Sequence, residues 1–160
     1  MTASAQLQKA IDTLRIQDVY LRDGFAHCAD DFNPKYASNL ASLEVQQMHV
    51  VRQSIVADVE DDGRIFQVFI RLGVRWINPD DETDEPHVFA IIEGEFIAEY
   101  QMQEELDQEC IDAFAEKNAS FHVWPYWREF LSSQCERLRL PRLILPAVQF
   151  AQNNTDSNQE

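Results

Sequence analysis

The chain has 160 residues, 45% of them hydrophobic, which is the length and composition of a single globular domain. It carries 13 basic and 28 acidic residues, and the resulting net charge of −15 repels phosphate backbones and anionic lipid, so nucleic acid is not an expected partner. No apolar run approaches the ~20 residues of a membrane span, and the N-terminus lacks the pattern of a signal peptide. We therefore expect a cytoplasmic protein without membrane insertion.

The first part of the chain predicts a helix followed by a strand. From Ala3 to Leu14, apolar residues recur at helical spacing on one side: Leu7, Ala10, Ile11 and Leu14. Ile16 to Phe25 predicts a first strand, and Ala26 to Ser42 predicts a connecting segment that contains Pro34.

The middle of the chain predicts three long strands. Val45 to Val59 forms the first of them, and Asp62-Gly63 follows as a hairpin turn, because both residues tolerate positive φ. The next two strands, Phe66 to Trp76 and Val88 to Tyr100, alternate between apolar and polar residues. Their second face still carries several apolar residues, which predicts that another subunit covers part of it: Phe69, Phe89, Ile91 and Ile97.

Two helices are predicted in the last third. The first runs from Glu104 to Lys117, and the second from Pro125 to Arg139. Pro125 suits the first position of a helix, and Trp124 before it is expected to be extended. One apolar stripe of the second helix predicts an oligomer interface: Trp127, Phe130, Leu131 and Cys135. The apolar tail from Leu143 to Phe150 needs a surface to lie on, which favours burial in an assembly or a binding role.

The sequence contains no constellation typical of catalysis. The acidic run from Asp80 to Glu85 lacks the calcium-loop pattern, and the four histidines are scattered without ligand spacing. The three cysteines form no CxxC pair, and four glycines are too few for a phosphate loop. We therefore predict that the chain is not an enzyme and needs no metal and no cofactor.

Several apolar and aromatic residues lie outside the predicted strands. Such residues are commonly core, but they also suit a groove that accepts extended apolar segments without sequence choice. We take the following as candidate client-binding residues: Phe32, Tyr36, Phe121, Trp124, Ile144 and Phe150.

Four segments together resemble SecB, the bacterial protein-export chaperone family. They are the start of the second helix, the proline-punctuated tail, the first strand and the acidic–aromatic loop after it: Pro125 to Glu129, Leu140 to Phe150, Ile16 to Asp23 and Asp31 to Pro34. The resemblance implies an α+β fold, in which a four-stranded antiparallel sheet carries a long amphipathic helix packed on one side. It also implies a homotetramer built as a dimer of dimers.

The resemblance implies an ATP-independent holdase. Such a chaperone binds unfolded precursor polypeptides and keeps them translocation-competent for the Sec export pathway, where an acidic sheet surface docks the SecA motor. Asp23 matches an acidic position of that surface, and His27 stands where the family has another acid. Glu93 and Glu95 are therefore added to Asp23 as candidate motor-docking residues.

The resemblance also divides the chain. Residues 1–13 are assigned to an N-terminal extension, residues 14–150 to a SecB-like domain, and residues 151–160 to a polar, disordered tail in place of the family's further C-terminal helix. Two alternatives stay open: a SecB-like chaperone dedicated to one partner, such as an antitoxin, and an oligomeric scaffold protein with no chaperone activity.

Overall fold

A computed structural model describes residues 2–61, 63–143 and 145. Its helices and strands, in chain order, are α1 (Ala3–Thr13), β1 (Leu14–Cys28), β2 (Glu44–Val59), β3 (Gly63–Ile77), β4 (Val88–Met102), α2 (Gln108–Lys117) and α3 (Ala119–Leu138). The predicted α+β class, with one antiparallel sheet and a long amphipathic helix on one side, is confirmed. The residues predicted to form the C-terminal apolar tail beyond Leu145 lie outside the described range, as does the polar tail after them.

The four strands form one antiparallel sheet in the order β1-β4-β3-β2. The strands β1 and β2 lie at opposite edges, so residues 29–43 cross from one edge to the other. The predicted hairpin between β2 and β3 is confirmed, because Val59 pairs with Gly63, whose φ of 72° is one that glycine adopts without a Cβ penalty.

One face of the sheet, which we call the inner face, packs against α3. The alternate residues of β3 that point to it are almost fully buried: Phe66, Val68, Ile70, Leu72, Val74 and Trp76. The helix presents a buried stripe at spacings of four residues, consisting of Val123, Trp127, Leu131 and Cys135. This matches the period at which a helix returns to the same side, so most of the apolar stripe seen in the sequence is the core face of α3.

The predicted start of the last helix is wrong. The helix α3 begins at Ala119, so Pro125 lies inside it and Trp124 is helical. A proline inside a helix removes one backbone hydrogen bond. The segment before Pro125 buries Ala119, Val123 and Trp124 in the core, and this burial outweighs the local cost.

The helix before it also starts later than predicted. The helix α2 begins at Gln108, not at Glu104, because Asp107 caps it by accepting a hydrogen bond from the backbone N–H of Cys110 at 3.0 Å. The predicted N-terminal helix is confirmed as α1, which packs against α2 and buries Ala10. The boundary between a separate extension and the domain stays a prediction.

A histidine ties the start of α3 to the sheet. The buried Tyr100 and half-buried His122 are joined by a hydrogen bond of 2.7 Å between the tyrosine hydroxyl and Nδ1. Burial raises the pKa of Tyr100 and lowers the pKa of His122. At neutral pH both groups are therefore uncharged, and one donates this hydrogen bond to the other.

This pair predicts a loss of stability in mild acid. The pKa of His122 is lower in the folded chain than its ordinary value of about 6.5, so below about pH 6.5 the unfolded chain binds the proton more readily. The free energy of unfolding should be insensitive to His122 above this pH and should fall as the pH drops toward the lowered pKa. Urea unfolding at a series of pH values measures this. His122→Gln, whose amide oxygen can still accept from Tyr100, should flatten the profile; an identical slope in both proteins would contradict the assignment.

Candidate functional site

The four residues predicted to form an oligomer interface do not share one environment. Trp127, Leu131 and Cys135 are buried within the single chain, against its own sheet. Phe130 is only half-buried, and its ring lies over Gly24 at the β1 edge of the inner face. An interface role for the four stays a prediction, and Phe130 is the member that keeps side-chain surface for it.

The predicted client-binding residues are also divided by the structure. Phe32 and Trp124 are buried, Phe121 is half-buried, and Tyr36 is 76% exposed. Ile144 and Phe150 lie outside the described residues. The client role of all six stays a prediction, but among those that the structure describes, Tyr36 is the one whose ring is open to a ligand.

The segment that connects β1 to β2 is anchored at one end and exposed at the other. Ala29 donates its backbone N–H to the carbonyl of Phe89 at 2.9 Å, and the ring of Phe32 packs edge-on against Phe89 with the ring centroids 5.3 Å apart. Beyond this anchor, Lys35 lies over the exposed ring of Tyr36 at 5.3 Å. The segment therefore holds an aromatic side chain outward on a fixed base.

Sequence reasoning missed a larger group of exposed apolar residues on the two edge strands. They lie on β1 and β2: Ile16, Tyr20, Leu21 and Phe25, and Met48, Val50, Ile55, Val56 and Val59. A signal was available in β2, because its apolar residues do not alternate, and Ile55 and Val56 are neighbours that point to opposite faces. An edge strand that carries apolar residues on both faces is typical of a binding surface.

The strand β2 is an edge strand of the sheet formed by the described residues. The strand runs for 16 residues with one irregularity, between Val51 and Gln53. Natural edge strands are commonly protected by charged side chains, prolines or bulges, and β2 has neither lysine nor proline, although Arg52 lies at its one bulge. An edge strand can add an extended polypeptide to the sheet through backbone hydrogen bonds.

The three predicted motor-docking carboxylates come together on the other side of the sheet, which we call the outer face. Arg71 lies between them: its guanidinium nitrogens are 2.6 Å from Glu93, 3.3 Å from Asp23 and 3.9 Å from Glu95. The hydrogen bond that Arg71 donates to Glu93 is the main reason that the pKa of Arg71 is raised. The carboxylates are thus already paired within the chain, and their docking role stays a prediction.

The described residues offer little for metal or thiol chemistry. Within residues 2–61, 63–143 and 145, no three histidine, cysteine or carboxylate side chains are grouped to hold a metal ion. Burial raises the pKa of Cys135, and the pKa of Cys110 is raised mainly by a hydrogen bond with Asp107. Both thiols therefore stay protonated at neutral pH. No helix in the described part of the chain is both long and apolar enough to cross a membrane.

No protein-family model matches this sequence, and no curated protein does. Among solved structures, the chain is similar to the SecB-like chaperone Rv1957 of Mycobacterium tuberculosis, in complex with a ChAD peptide from the HigA1 antitoxin Rv1956. The two share 21% sequence identity with a TM-score of 0.69, and the match covers 91% of this chain and 98% of Rv1957. The chain has a SecB-like fold. The fold that the four short motifs implied is thereby confirmed, since the match extends over almost the whole of both chains.

Proposed function

We propose that the chain is an ATP-independent holdase that binds unfolded polypeptides. The observation that carries this is the exposed apolar surface of the edge strands and of Tyr36, on a chain with a net charge of −15. Each edge strand thus presents several apolar side chains to solvent, and exposed apolar residues that are grouped in this way are typical of a binding surface. The SecB-like fold supports the proposal by analogy.

Client capture follows from the properties of this surface. An unfolded segment lies along β2, forms backbone hydrogen bonds with its free edge, and places alternate side chains on the exposed apolar residues of either face. Backbone hydrogen bonds are independent of side-chain identity, so such binding has little sequence preference. A chaperone that binds only the unfolded state competes with folding and aggregation by mass action, without ATP.

We also propose a homotetramer, assembled as a dimer of dimers. The edge strand β1 exposes Ile16 and Leu21 on the α3 side of the sheet, and the half-buried Phe130 lies over Gly24 of the same strand. Covering these residues with a second copy removes apolar area from water, which stabilises the assembly. The outward side of α3 remains for contacts between dimers.

Two routes for the captured client follow from the resemblance. In one, the chaperone keeps precursors competent for Sec export and passes them to the SecA motor in the cytoplasm. In the other, it serves one dedicated partner, such as an antitoxin. The similarity to a SecB-like chaperone in complex with an antitoxin peptide favours the second candidate, and a toxin–antitoxin gene pair beside this gene would support it.

A light-scattering assay tests the holdase. The wild-type protein should suppress the aggregation of a reduced, unfolded model protein, without ATP. Tyr36→Ser should weaken client affinity about threefold to tenfold, because it removes an exposed aromatic contact of about 1 kcal/mol, whereas Tyr36→Phe keeps the ring and should bind like the wild type. No suppression at several-fold excess of chaperone would leave the scaffold alternative as the better account.

A further inference from the structure

Six charged residues form a balanced group on the outer face of the sheet. This outer-face ion cluster consists of three arginines and three carboxylates: Arg22, Arg52, Arg71, Asp23, Glu93 and Glu95. Its formal charge is zero, although the whole chain carries −15 with only 13 basic residues. The three arginines therefore balance the negative charge of the predicted docking carboxylates on this face.

Glu95 lies at the centre of the cluster. Its carboxylate is 3.3 Å from Arg22 Nε, 3.5 Å from Arg52 Nε and 3.9 Å from the third guanidinium, that of Arg71, and its side chain is only 10% exposed. Arg71 also donates to Glu93 through two nitrogens, at 2.8 and 2.6 Å. A carboxylate with this many cationic neighbours has little potential left to attract another cation.

Strand irregularities place the two outer arginines. The pairing of β1 with β4 shifts between Leu21 and Asp23, and the pairing of β2 with β3 shifts between Val51 and Gln53. Each shift adds one residue, Arg22 or Arg52, so two successive side chains share the outer face. Arg22 also lies over the ring of Phe69 at 5.4 Å, which holds it in place.

We infer that Arg22, Arg52 and Arg71 determine partner specificity by closing the part of the outer face around Asp23, Glu93 and Glu95 to cationic partners. Arg22 and Arg52 are 54% and 55% exposed, so an approaching cation meets both guanidinium groups before it reaches Glu95. Arg71 is shared between Asp23 and Glu93 as their ion-pair partner. The inference goes beyond the proposed function, because it concerns charged side chains rather than the apolar edge residues and holds whether or not the chain binds clients.

Three single variants with equal charge test the inference. Arg22→Gln, Arg52→Gln and the control Arg64→Gln each change the net charge from −15 to −16. Arg64 pairs with Asp58 and Glu105, outside the cluster. The probe is a fluorescently labelled octalysine peptide, and fluorescence anisotropy at 0.15 M salt measures its affinity.

We expect the Arg22 and Arg52 variants to bind the probe about threefold more tightly than the Arg64 variant. The double Arg22→Gln/Arg52→Gln variant should bind it about tenfold more tightly than the Arg64 variant. Adding Asp23→Asn to the double variant should reverse most of the gain. Binding to the double variant should also slow amide exchange in β1 and β4, which locates the probe on the sheet. Both arginines are exposed, so we expect the thermal midpoint of each variant to stay near that of the wild type.

Equal affinity of all three single variants would overturn the inference, since net charge alone would then explain the binding. The inference would also be overturned if the wild-type protein bound the probe on the sheet and the Asp23→Asn substitution abolished that binding. The holdase assay is independent of these measurements. If the wild-type protein suppresses aggregation but its outer face binds octalysine, the inference is rejected and the proposed function is kept. If the wild-type protein does not suppress aggregation and the variants bind octalysine as expected, the inference is kept and the proposed function is rejected.

Discussion

Replacing Trp127 with alanine is expected to lower the free energy of unfolding by ~3–5 kcal/mol. The side chain is 2% exposed and is among the largest fully buried ones in the described residues, and its ring stacks on Phe130 with a centroid distance of 6.1 Å. Alanine leaves a cavity between α3 and the inner face that the surrounding strands cannot fill. Urea unfolding monitored by circular dichroism measures the loss.

The neighbouring Tyr126 provides a matched control. It is 48% exposed on the same helix, so Tyr126→Ala should change stability by no more than about 0.5 kcal/mol. If Trp127 acts within each chain, the loss should be the same at every protein concentration. A loss that disappears at high concentration, accompanied by a smaller native mass, would instead place Trp127 at a subunit contact.

The sheet was largely predictable from the sequence, because strand signals are local. The alternation of β3 and β4 marks the inner face, and Asp62-Gly63 marks the hairpin whose Gly63 adopts positive φ. Pro125 shows where local signals fail. Its preference for the first helical position is a weak local term, and burial of Val123 and Trp124 outweighs it.

The role of the α3 stripe was harder to predict for a different reason. An apolar stripe with the spacing of Trp127, Leu131 and Cys135 looks the same whether it faces the chain's own sheet or another subunit. Only the position of the helix over the inner face shows that these side chains are buried in the single chain. Phe130, one residue from the stripe's centre, lies at the edge of that burial.

The ion pairing of the outer face was beyond sequence reasoning as well. Asp23, Glu93 and Glu95 were recognisable as acidic candidates, but their partners depend on register. The pairing of Arg71 with Glu95 across β3 and β4, and the two irregularities that turn Arg22 and Arg52 outward, cannot be read from alternation.

A pair of glycines predicts the second large effect. Gly24 and Gly94 face each other across β1 and β4, directly beneath the ring of Phe130. A Cβ at Gly24 would lie 2.9 Å from Phe130 Cζ, closer than real contacts allow. Gly24→Val should therefore displace the ring and lower the free energy of unfolding by about 1–3 kcal/mol, measured by urea unfolding.

A double variant separates this steric effect from a loss of strand pairing. Phe130→Leu removes the outer part of the ring, so in the Gly24→Val background it should restore part of the lost stability, although alone it should destabilise the chain. The two changes are then non-additive, as expected for residues in direct contact. Strictly additive losses would mean that valine disturbs β1 itself. Phe130 is also the half-buried member of the proposed interface, so displacing its ring in Gly24→Val should weaken self-association. Light scattering at several protein concentrations measures the native mass and so reports this effect.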